Sequence, residues 1–478
     1  MLKIPELLAP AGGFEQLRAA VENGADAVYM GGKLFNARMN AKNFEEEELY
    51  QALAYAHVRG VKLYITMNTL LFEEELEEAV SYAKELYEMG VDALILQDFG
   101  LAKLIRTYLP NMEIHLSTQG TIYNASGVSA AKEMGFQRVV LARETSLEEI
   151  TEMTRENVAE IEIFVHGALC ICYSGQCQMS REIGGRSGNR GSCGQPCRLP
   201  YSIYEEIKGK KVKVKDETFL LSPKDLCTIE NLGAFAEAGV SSLKIEGRMK
   251  SPEYVATVTR IYRNYLDLYR EKGSYTVSPQ DFKDLNQIFN RGGFTDGYLF
   301  GNHGEAMMSG ALSKHQGIYL GKVLKNSTGN NYIQVDLEEP LSLGDGIEVR
   351  TPGLPGNVVT FLKIVEEGKG NAIKAGGKSI RTAFPGQTVI MGDVCGSFKK
   401  GDRVYKITDR GLLESAKASY EAKSWKDQKE LKKSPISLFF RGSKADGLTL
   451  EIRDRENSMI VKQNKEAIAW ATGKGTTK

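Results

Sequence analysis

Between Glu6 and about Arg270 the chain alternates short, mostly apolar runs with longer stretches of helical periodicity. The runs are ELLAP (6–10), ADAVYM (25–30), VKLYITM (61–67), VDALIL (91–96), EIHLS (113–117), FQRVVLA (136–142), EIEIFV (160–165) and, after a long insertion, VSSLKI (240–245). Between them, segments such as FEQLRAAVENG, EEELYQALAYAHVRG and EEELEEAVSYAKELYEMG carry the three-to-four apolar spacing of amphipathic helices. Several end in Gly just before the next run, the residue that most readily closes a helix in the left-handed conformation. Runs apolar on both faces suit parallel strands covered by helices. Eight strand–helix repeats predict an α/β fold, a (β/α)8 TIM-like barrel. A doubly wound open sheet has the same periodicity and is the alternative.

In such a barrel, chemistry sits where strands end and loops begin. Those positions hold Asn36 and Arg38 after strand two, Asn68 after three, Gln97 and Asp98 after four, and Ser117, Thr118 and Gln119 after five. Arg143 and Glu144 end strand six, His166 ends strand seven, and Glu246 with Arg248 ends strand eight. Amides, hydroxyls and three arginines at one mouth suit a small, polar, anionic ligand. Asn36, Arg38, Asn68, Thr118, Gln119 and Arg143 are therefore the candidate substrate-binding residues, with helix capping or loop bridging as the competing role of each. His166, Glu246 and Arg248 are the candidate catalytic residues. Glu246 would serve as general acid–base or in ligand positioning, and Arg248 as an anion clamp. A structural ion pair between the latter two is the competing reading.

Composition narrows the class. With 478 residues, 42% hydrophobic and 26% charged, the chain can bury two or three cores. Lys+Arg and Asp+Glu stand at 61 each, which argues against a protein coated in nucleic acid but leaves local basic patches open. The opening MLKIPELLAPAGG lacks the apolar core of a signal peptide, and no apolar run reaches the roughly 18 residues of a membrane span. A cytoplasmic protein is expected, in a compartment where clustered cysteines more often bind metal than form disulfides.

Five of the seven cysteines fall between His166 and Arg198, in HGALCICYSGQCQMSREIGGRSGNRGSCGQPCR. They are Cys170, Cys172, Cys177, Cys193 and Cys197; Cys227 follows, and Cys395 lies far off. Most belong to the insertion between strands seven and eight, which enters the barrel mouth. Thiolates are soft ligands for zinc or iron–sulfur clusters, and four usually complete a site. The spacing is neither the paired CxxC of a zinc ribbon nor the C-x3-C-x2-C of radical enzymes. Buried, inert thiols account for Cys395 but poorly for five among Gly, Ser and Arg. Arg181, Arg186, Arg190 and Arg198 face a lone Glu182 in this loop. Their charge lowers thiolate pKa or meets phosphates, a solvated basic loop being the plain alternative.

These residues carry a resemblance. The sequence resembles the U32 peptidase family, once called collagenase-like proteases, over roughly residues 3–300. The matching stretches are ELLAPAG (6–12), DAVYMGG (26–32), HGALC and YSGQCQMS (166–180), GSCGQPCR (191–198), LSPKDLC (221–227), KIEGRMKSPEYV (244–255) and FNRGGFTDGY (289–298). The resemblance implies an oxygen-independent hydroxylase with a 4Fe–4S cluster. Members of the family hydroxylate the wobble uridine of tRNA using prephenate, or a cytidine of large-subunit rRNA. A further pair acts in ubiquinone synthesis, and older reports assign collagen degradation to others. By similarity the cluster ligands are Cys170, Cys177, Cys193 and Cys227, with Cys197 as the candidate to replace one, Cys172 a bystander and zinc the alternative metal. Against a peptidase, there is no HExxH helix and no GxSxG elbow. Only His166, and less well His115, offers an imidazole for a nucleophile at the mouth, and a thiolate committed to a cluster is not free to attack a peptide bond. The expected function is hydroxylation of a pyrimidine in rRNA or tRNA, with a small anionic co-substrate and no membrane partner. The alternatives are a U32-type peptidase and a non-catalytic RNA-binding module with structural zinc.

The expected domains are 1–305 for the barrel, with its Cys-rich insertion at 167–235, then 306–409 and 410–478. Residues 315–408 hold short strands broken by Gly, Asn and Pro, and LSLGDGIEVR and FKKGDRVYKI are near-repeats of a turn leading into a strand. They read as a small antiparallel β-barrel resembling the second domain of translation GTPases. Residues 410–433 read as a charged, solvated linker helix. SPISLFFRG and LTLEIRDRENSMIVKQN resemble the opening strands of a further domain of longer family members, and the chain ends at ATGKGTTK. A truncated or split product is expected, with a partner protein supplying the missing domain. The β-barrel and this likeness tilt the expected substrate toward rRNA.

Overall fold

The computed structural model describes residues 2–462 other than 39–40, 302, 311, 327–331, 351–355, 361, 365–377, 422–435, 444–446 and 454–457. Strands β1 (Glu6–Pro10), β2 (Ala27–Met30), β3 (Lys62–Met67), β4 (Ala93–Leu96), β5 (Ile114–Leu116), β6 (Arg138–Val140) and β7 (Glu160–Ala168) pair in sequence order, all parallel. After the insertion, β8 (Tyr201–Ile207), β9 (Lys210–Pro223) and β10 (Asp225–Cys227) precede β11 (Ser242–Ile245), the eighth barrel strand. It pairs with both β1 and β7, so the sheet closes and the open-sheet alternative falls away. All eight runs read from the sequence are strands of this barrel. Helices α1 (Phe14–Glu22), α2 (Glu46–His57), α3 (Leu76–Met89), α4 (Phe99–Tyr108), α5 (Ala125–Glu133) and α6 (Leu147–Arg155) follow their strands. α7 (Met179–Gly184) lies in the insertion, α8 (Leu232–Glu237) precedes β11, and α9 (Pro252–Lys272) and α10 (Pro279–Ile288) complete the ring.

Side chains alternate between two cores, as the period of two along a strand requires. Leu7, Val28, Leu63, Leu94, Val139 and Leu243 face the helices in the main core. Leu8, Tyr29, Tyr64 and Ile95 pack inside the barrel. Beneath that layer the interior is ionic. Arg138 reaches Glu6 at 2.6 Å and Glu162 at 3.2 Å, and Lys244 reaches the other oxygen of Glu162 at 2.8 Å. Tyr64 donates to Glu6 at 2.8 Å. Such a network holds buried charge because each member is paired.

The insertion departs from a plain loop. β10 runs antiparallel to β7, and β12 (Phe294–Thr295) extends the sheet beside it. Further on, seven strands within 318–408 form an antiparallel sheet, and Leu341–Ser342 and Thr382–Ala383 a separate pair, around Leu320, Val335, Ile347, Val389 and Val404. The helix Arg410–Ala418 is not solvated as its charge suggested: it packs against α9, and Ala416 and Tyr420, four residues apart, join the barrel's core. Arg18 also donates to the Tyr420 carbonyl at 2.8 Å. The rest of the expected linker, 422–435, lies outside the described residues, as does 463–478. Between them Ser437–Ser443, Gly447–Arg453 and Ser458–Lys462 form a three-stranded antiparallel sheet. No helix among the described residues is long and apolar enough to cross a membrane.

Candidate active site at the barrel mouth

Glu246 follows β11 with its carboxylate toward the mouth. Arg38, on the loop after β2, donates to Glu246 Oε1 at 3.0 Å, and Tyr29 donates to Oε2 at 3.1 Å. Burial pushes this carboxyl up, but the Arg38 and Arg143 charges and the two hydrogen bonds outweigh it and hold the group at about 2. A carboxylate this acidic is a poor proton acceptor at neutral pH. Of the two roles expected for Glu246, the geometry suits positioning: it fixes the fork of Arg38. Gly167 makes room for it. The residue sits at φ 104°, and a Cβ there would stand 2.6 Å from the Glu246 carbonyl oxygen.

Arg248 does not pair with Glu246 and does not open onto the mouth. Its guanidinium, 3% exposed, donates to Thr66 Oγ1 at 2.9 Å, Asn36 Oδ1 at 3.0 Å and Asn43 Oδ1 at 2.7 Å, leaving Nε without a partner. Burial among neutral groups lowers it to about 10. Asn36 in turn accepts from the Arg38 backbone N–H at 2.9 Å and donates to the Gly32 carbonyl at 2.7 Å. Arg248 and Asn36 therefore build the loop that presents Arg38.

The remaining amides and hydroxyls mostly hold one another. Asn68 accepts from the Ala37 N–H at 3.0 Å and donates to Ser117 Oγ at 3.3 Å. Thr118 donates to the Leu141 carbonyl, Gln119 to Gln97 Oε1, and Asp98 caps α4 by accepting from the Leu101 N–H. Arg143 is differently placed. It lies over the Phe164 ring, 4.1 Å from guanidinium carbon to centroid, and its Nη1 is 3.7 Å from Cys170 Sγ. Glu144 accepts from the Ser174 N–H at 2.9 Å, tying the cysteine loop to the strand-six end.

His166 faces away from the mouth. The pairing of β7 with β11 shifts register between Phe164 and His166, so His166 lies opposite outward-facing Ile245 and against α9. It sits among Tyr254, Tyr262 and Phe294, with Nδ1 3.2 Å from the Tyr262 hydroxyl. Burial, with Lys250 nearby, lowers it to about 3, so the ring is neutral. Cys227 pairs with His166 across β10 and β7, and its thiol meets the same Tyr262 hydroxyl at 3.8 Å. Burial pushes this thiol up to about 11. His115, wholly buried, bonds Glu113 at 2.8 Å inside the barrel.

The other thiols share one neighbourhood. Burial raises the Cys197 and Cys172 thiols, with Cys170 and Cys177 near both and Cys193 near Cys197. Among the described residues no three His, Cys, Asp or Glu side chains already stand as a metal site. The donor chemistry, soft thiols beside Arg38, Arg143 and Arg198, fits an anionic iron–sulfur cluster, with Cys197 in the neighbourhood of the loop thiols and Cys227 on β10 against Tyr262.

Strand-end reasoning missed Tyr29, Asn43, Tyr254, Lys250 and Asp225. Tyr254 donates to the Glu246 carbonyl at 3.1 Å, and Asp225 accepts from Arg291 at 2.6 Å. Tyr254 and Lys250 lie in KIEGRMKSPEYV and Tyr29 in DAVYMGG, so those stretches, read whole, held the signal. Lys250 rests on the Phe289 ring, and burial, with Arg291 close by, brings it to about 7. The unfolded chain keeps that proton up to about pH 10.5, so the unfolded state binds more protons between pH 7 and 10.5 and stability rises with pH there. Lys250→Met is expected to flatten that rise by ~3 kcal/mol, allowing for partial exposure. Urea unfolding at pH 7 and pH 10 measures it; identical slopes for both proteins would contradict the burial of the amine.

A profile described as peptidase family U32 matches residues 12–309. The chain is 38% identical over 379 residues to tRNA hydroxylation protein P1 of Bacillus subtilis, covering 78% of this chain and 89% of that one. It is 40% identical over 353 residues to the 23S rRNA 5-hydroxycytidine C2501 synthase of Escherichia coli, covering 72% of this chain and 52% of that protein, about half its length. It is also 32% identical over 423 residues to a protein of Porphyromonas gingivalis named collagenase, covering 85% of this chain and 98% of that one.

Proposed function

The chain belongs to peptidase family U32, and from that premise we propose that it is an RNA-modifying enzyme that hydroxylates a pyrimidine of tRNA or rRNA. The observation that carries this reading over peptide hydrolysis is the placement of the only imidazole at a strand end near the thiols. His166 is bonded to Tyr262 behind β7, while Cys170 lies beside Arg143. A nucleophile–base pair needs hydrogen-bond reach, and these two side chains point to different neighbours. Relatives named for tRNA and rRNA hydroxylation match most of the chain.

In this reading Arg38 and Arg143 grip the carboxylates of a small anionic co-substrate, for which prephenate is the donor implied by the family resemblance. Glu246 fixes Arg38, and Tyr29 fixes Glu246. Cys170, Cys177 and Cys193, with Cys227 or Cys197 as fourth, would hold a 4Fe–4S cluster; when bound it supplies one-electron chemistry at the mouth. Family likeness supports Cys227, and the neighbourhood of the loop thiols supports Cys197. The reading includes a cytoplasmic location, the compartment that holds tRNA and rRNA.

Mass spectrometry of nucleosides from tRNA and rRNA, with and without the gene, tests the reading. One hydroxylated pyrimidine is expected to vanish from one RNA pool and to return with the intact gene but not with a Cys177→Ser copy. Unchanged nucleosides in both pools would sink the proposal.

A further inference from the structure

The insertion carries an exposed feature that the proposed chemistry does not use. β8 and β9 form a long two-stranded ribbon whose register runs from Tyr201 opposite Thr218 to Ile207 opposite Lys210. Its two-residue turn, Lys208-Gly209, has both residues at positive φ, 51° and 76°, the arrangement whose twist matches paired strands. The root is anchored: Tyr201 donates to the Pro196 carbonyl at 2.8 Å, and β9 pairs with Met308–Gly310. Toward the root Lys215 bonds Glu305 at 2.9 Å, and beyond it the apolar side chains stand open to solvent. Ile203, Tyr204, Ile207, Val212 and Val214 are 43–56% exposed. A bare ribbon is marginally stable in water, and exposed apolar groups clustered on one usually meet a partner.

Charge says which partner. Over the whole ribbon, residues 201–218, five lysines stand against Glu205, Glu206, Asp216 and Glu217, and the positive charge gathers at the outer end: with Lys215 paired to Glu305 at 2.9 Å, Lys208, Lys210, Lys211 and Lys213 stand there against Glu205 and Glu206, a net +2 in a chain whose total is zero. Directly opposed residues share a face, so Tyr204 and Lys213 lie together with Glu206 and Lys211 on one side of the ribbon. An aromatic ring interleaved with lysines offers a base a stacking surface and phosphates a row of counter-charges. Position agrees. The ribbon leaves the loop just after Cys197 and returns just before Asp225 and Cys227, so its root sits beside the mouth. We propose that the β8–β9 ribbon is an arm that grips the backbone of the substrate RNA next to the mouth. This rests on the RNA-hydroxylase reading and adds to it a surface outside the barrel.

The test uses the full-length protein carrying its thiol-bound cluster, the triple variant Lys208→Gln/Lys210→Gln/Lys211→Gln, and Tyr204→Ala. Filter binding of total tRNA and of an rRNA stem-loop is read from 50 to 200 mM salt. The triple variant is expected to lose about 2–3 from the slope of log K against log salt, and ~10-fold in affinity at 100 mM. Tyr204→Ala is expected to lose ~5–10-fold with its slope unchanged. Unaltered melting temperatures separate these effects from misfolding, and a variant that melts early is replaced by one with residues 205–212 exchanged for a two-residue Asn-Gly turn. If the parent binds RNA and the variants match it in slope and affinity, the arm is overturned while the hydroxylase reading stands. If the variants match the parent on RNA but lose a co-purifying protein, the arm belongs to a protein partner and the proposal is equally overturned. If gene loss leaves every nucleoside unchanged and the parent binds neither RNA, both readings fall.

Discussion

Arg138→Ala is expected to cost about 3–5 kcal/mol of folding free energy, a large fraction of the total stability of a domain. The guanidinium is only 4% exposed, and it contacts Glu6, Glu160 and Glu162 at 2.6, 2.7 and 3.2 Å. Removing it leaves Glu162, wholly buried, with Lys244 as its only cation and strips Glu6 of its charged partner. Breaking one member of a buried network is worse than replacing all of it, because the surviving carboxylates remain desolvated and unpaired. A quadruple variant that makes Glu6, Arg138, Glu162 and Lys244 apolar together is therefore expected to be more stable than Arg138→Ala alone. Urea unfolding followed by circular dichroism reads both. A loss below 1 kcal/mol for Arg138→Ala would mean that water reaches the barrel floor.

The largest catalytic effect is expected at Arg38. Arg38→Met is expected to lower kcat/KM for the anionic co-substrate by ~10²–10³-fold, the scale of one charge-assisted, preorganised contact. Arg38→Lys recovers little, since a point charge cannot reproduce a fork bonded to Glu246 at 3.0 Å while meeting a carboxylate. Glu246→Gln costs less alone, because it loosens Arg38 without removing it. The double variant falls close to Arg38→Met, as expected when one residue acts through the other. The pH profile separates this from proton transfer. With Glu246 held at about 2, no acid limb near pH 5–6 belongs to it. An acid limb there that disappears in Glu246→Gln would make the carboxylate a base and end the positioning account.

The eight barrel strands were legible because each is mostly apolar, its few charged positions turning into the barrel, and most are followed by a stretch of helical period. The mouth was legible in part. Arg38, Arg143 and Glu246 come together at the mouth because the loops that follow parallel strands all open on that face. His166 defeats that reasoning: the register shift in β7 turns it to the outside, and nothing in FVHGA announces an irregularity except Gly167, whose φ of 104° is visible only in the fold. Arg248 was misplaced for another reason. Its donors are taken by Asn36, Asn43 and Thr66, contributed by the second and third strand–loop units, and no spacing in one dimension brings these together. The helix at 410–418 shows the same limit, because its charge is visible in the sequence and the α9 surface that receives Ala416 is not.

In the ionic floor Arg138 and Lys244 meet Glu6, Glu162 and, at the rim, the half-exposed Glu160, beneath the layer of Leu8, Tyr64 and Ile95. Its charges are largely spent on one another, so the potential felt by a ligand is set chiefly by the groups nearer to it, Arg38, Arg143 and Glu246 among them. Tyr29 touches both layers, its ring 4.4 Å from the Lys244 amine and its hydroxyl on Glu246. Above that tyrosine a substitution changes what the mouth can hold; below it, a single change of sign leaves a buried charge unpaired and destabilises the fold.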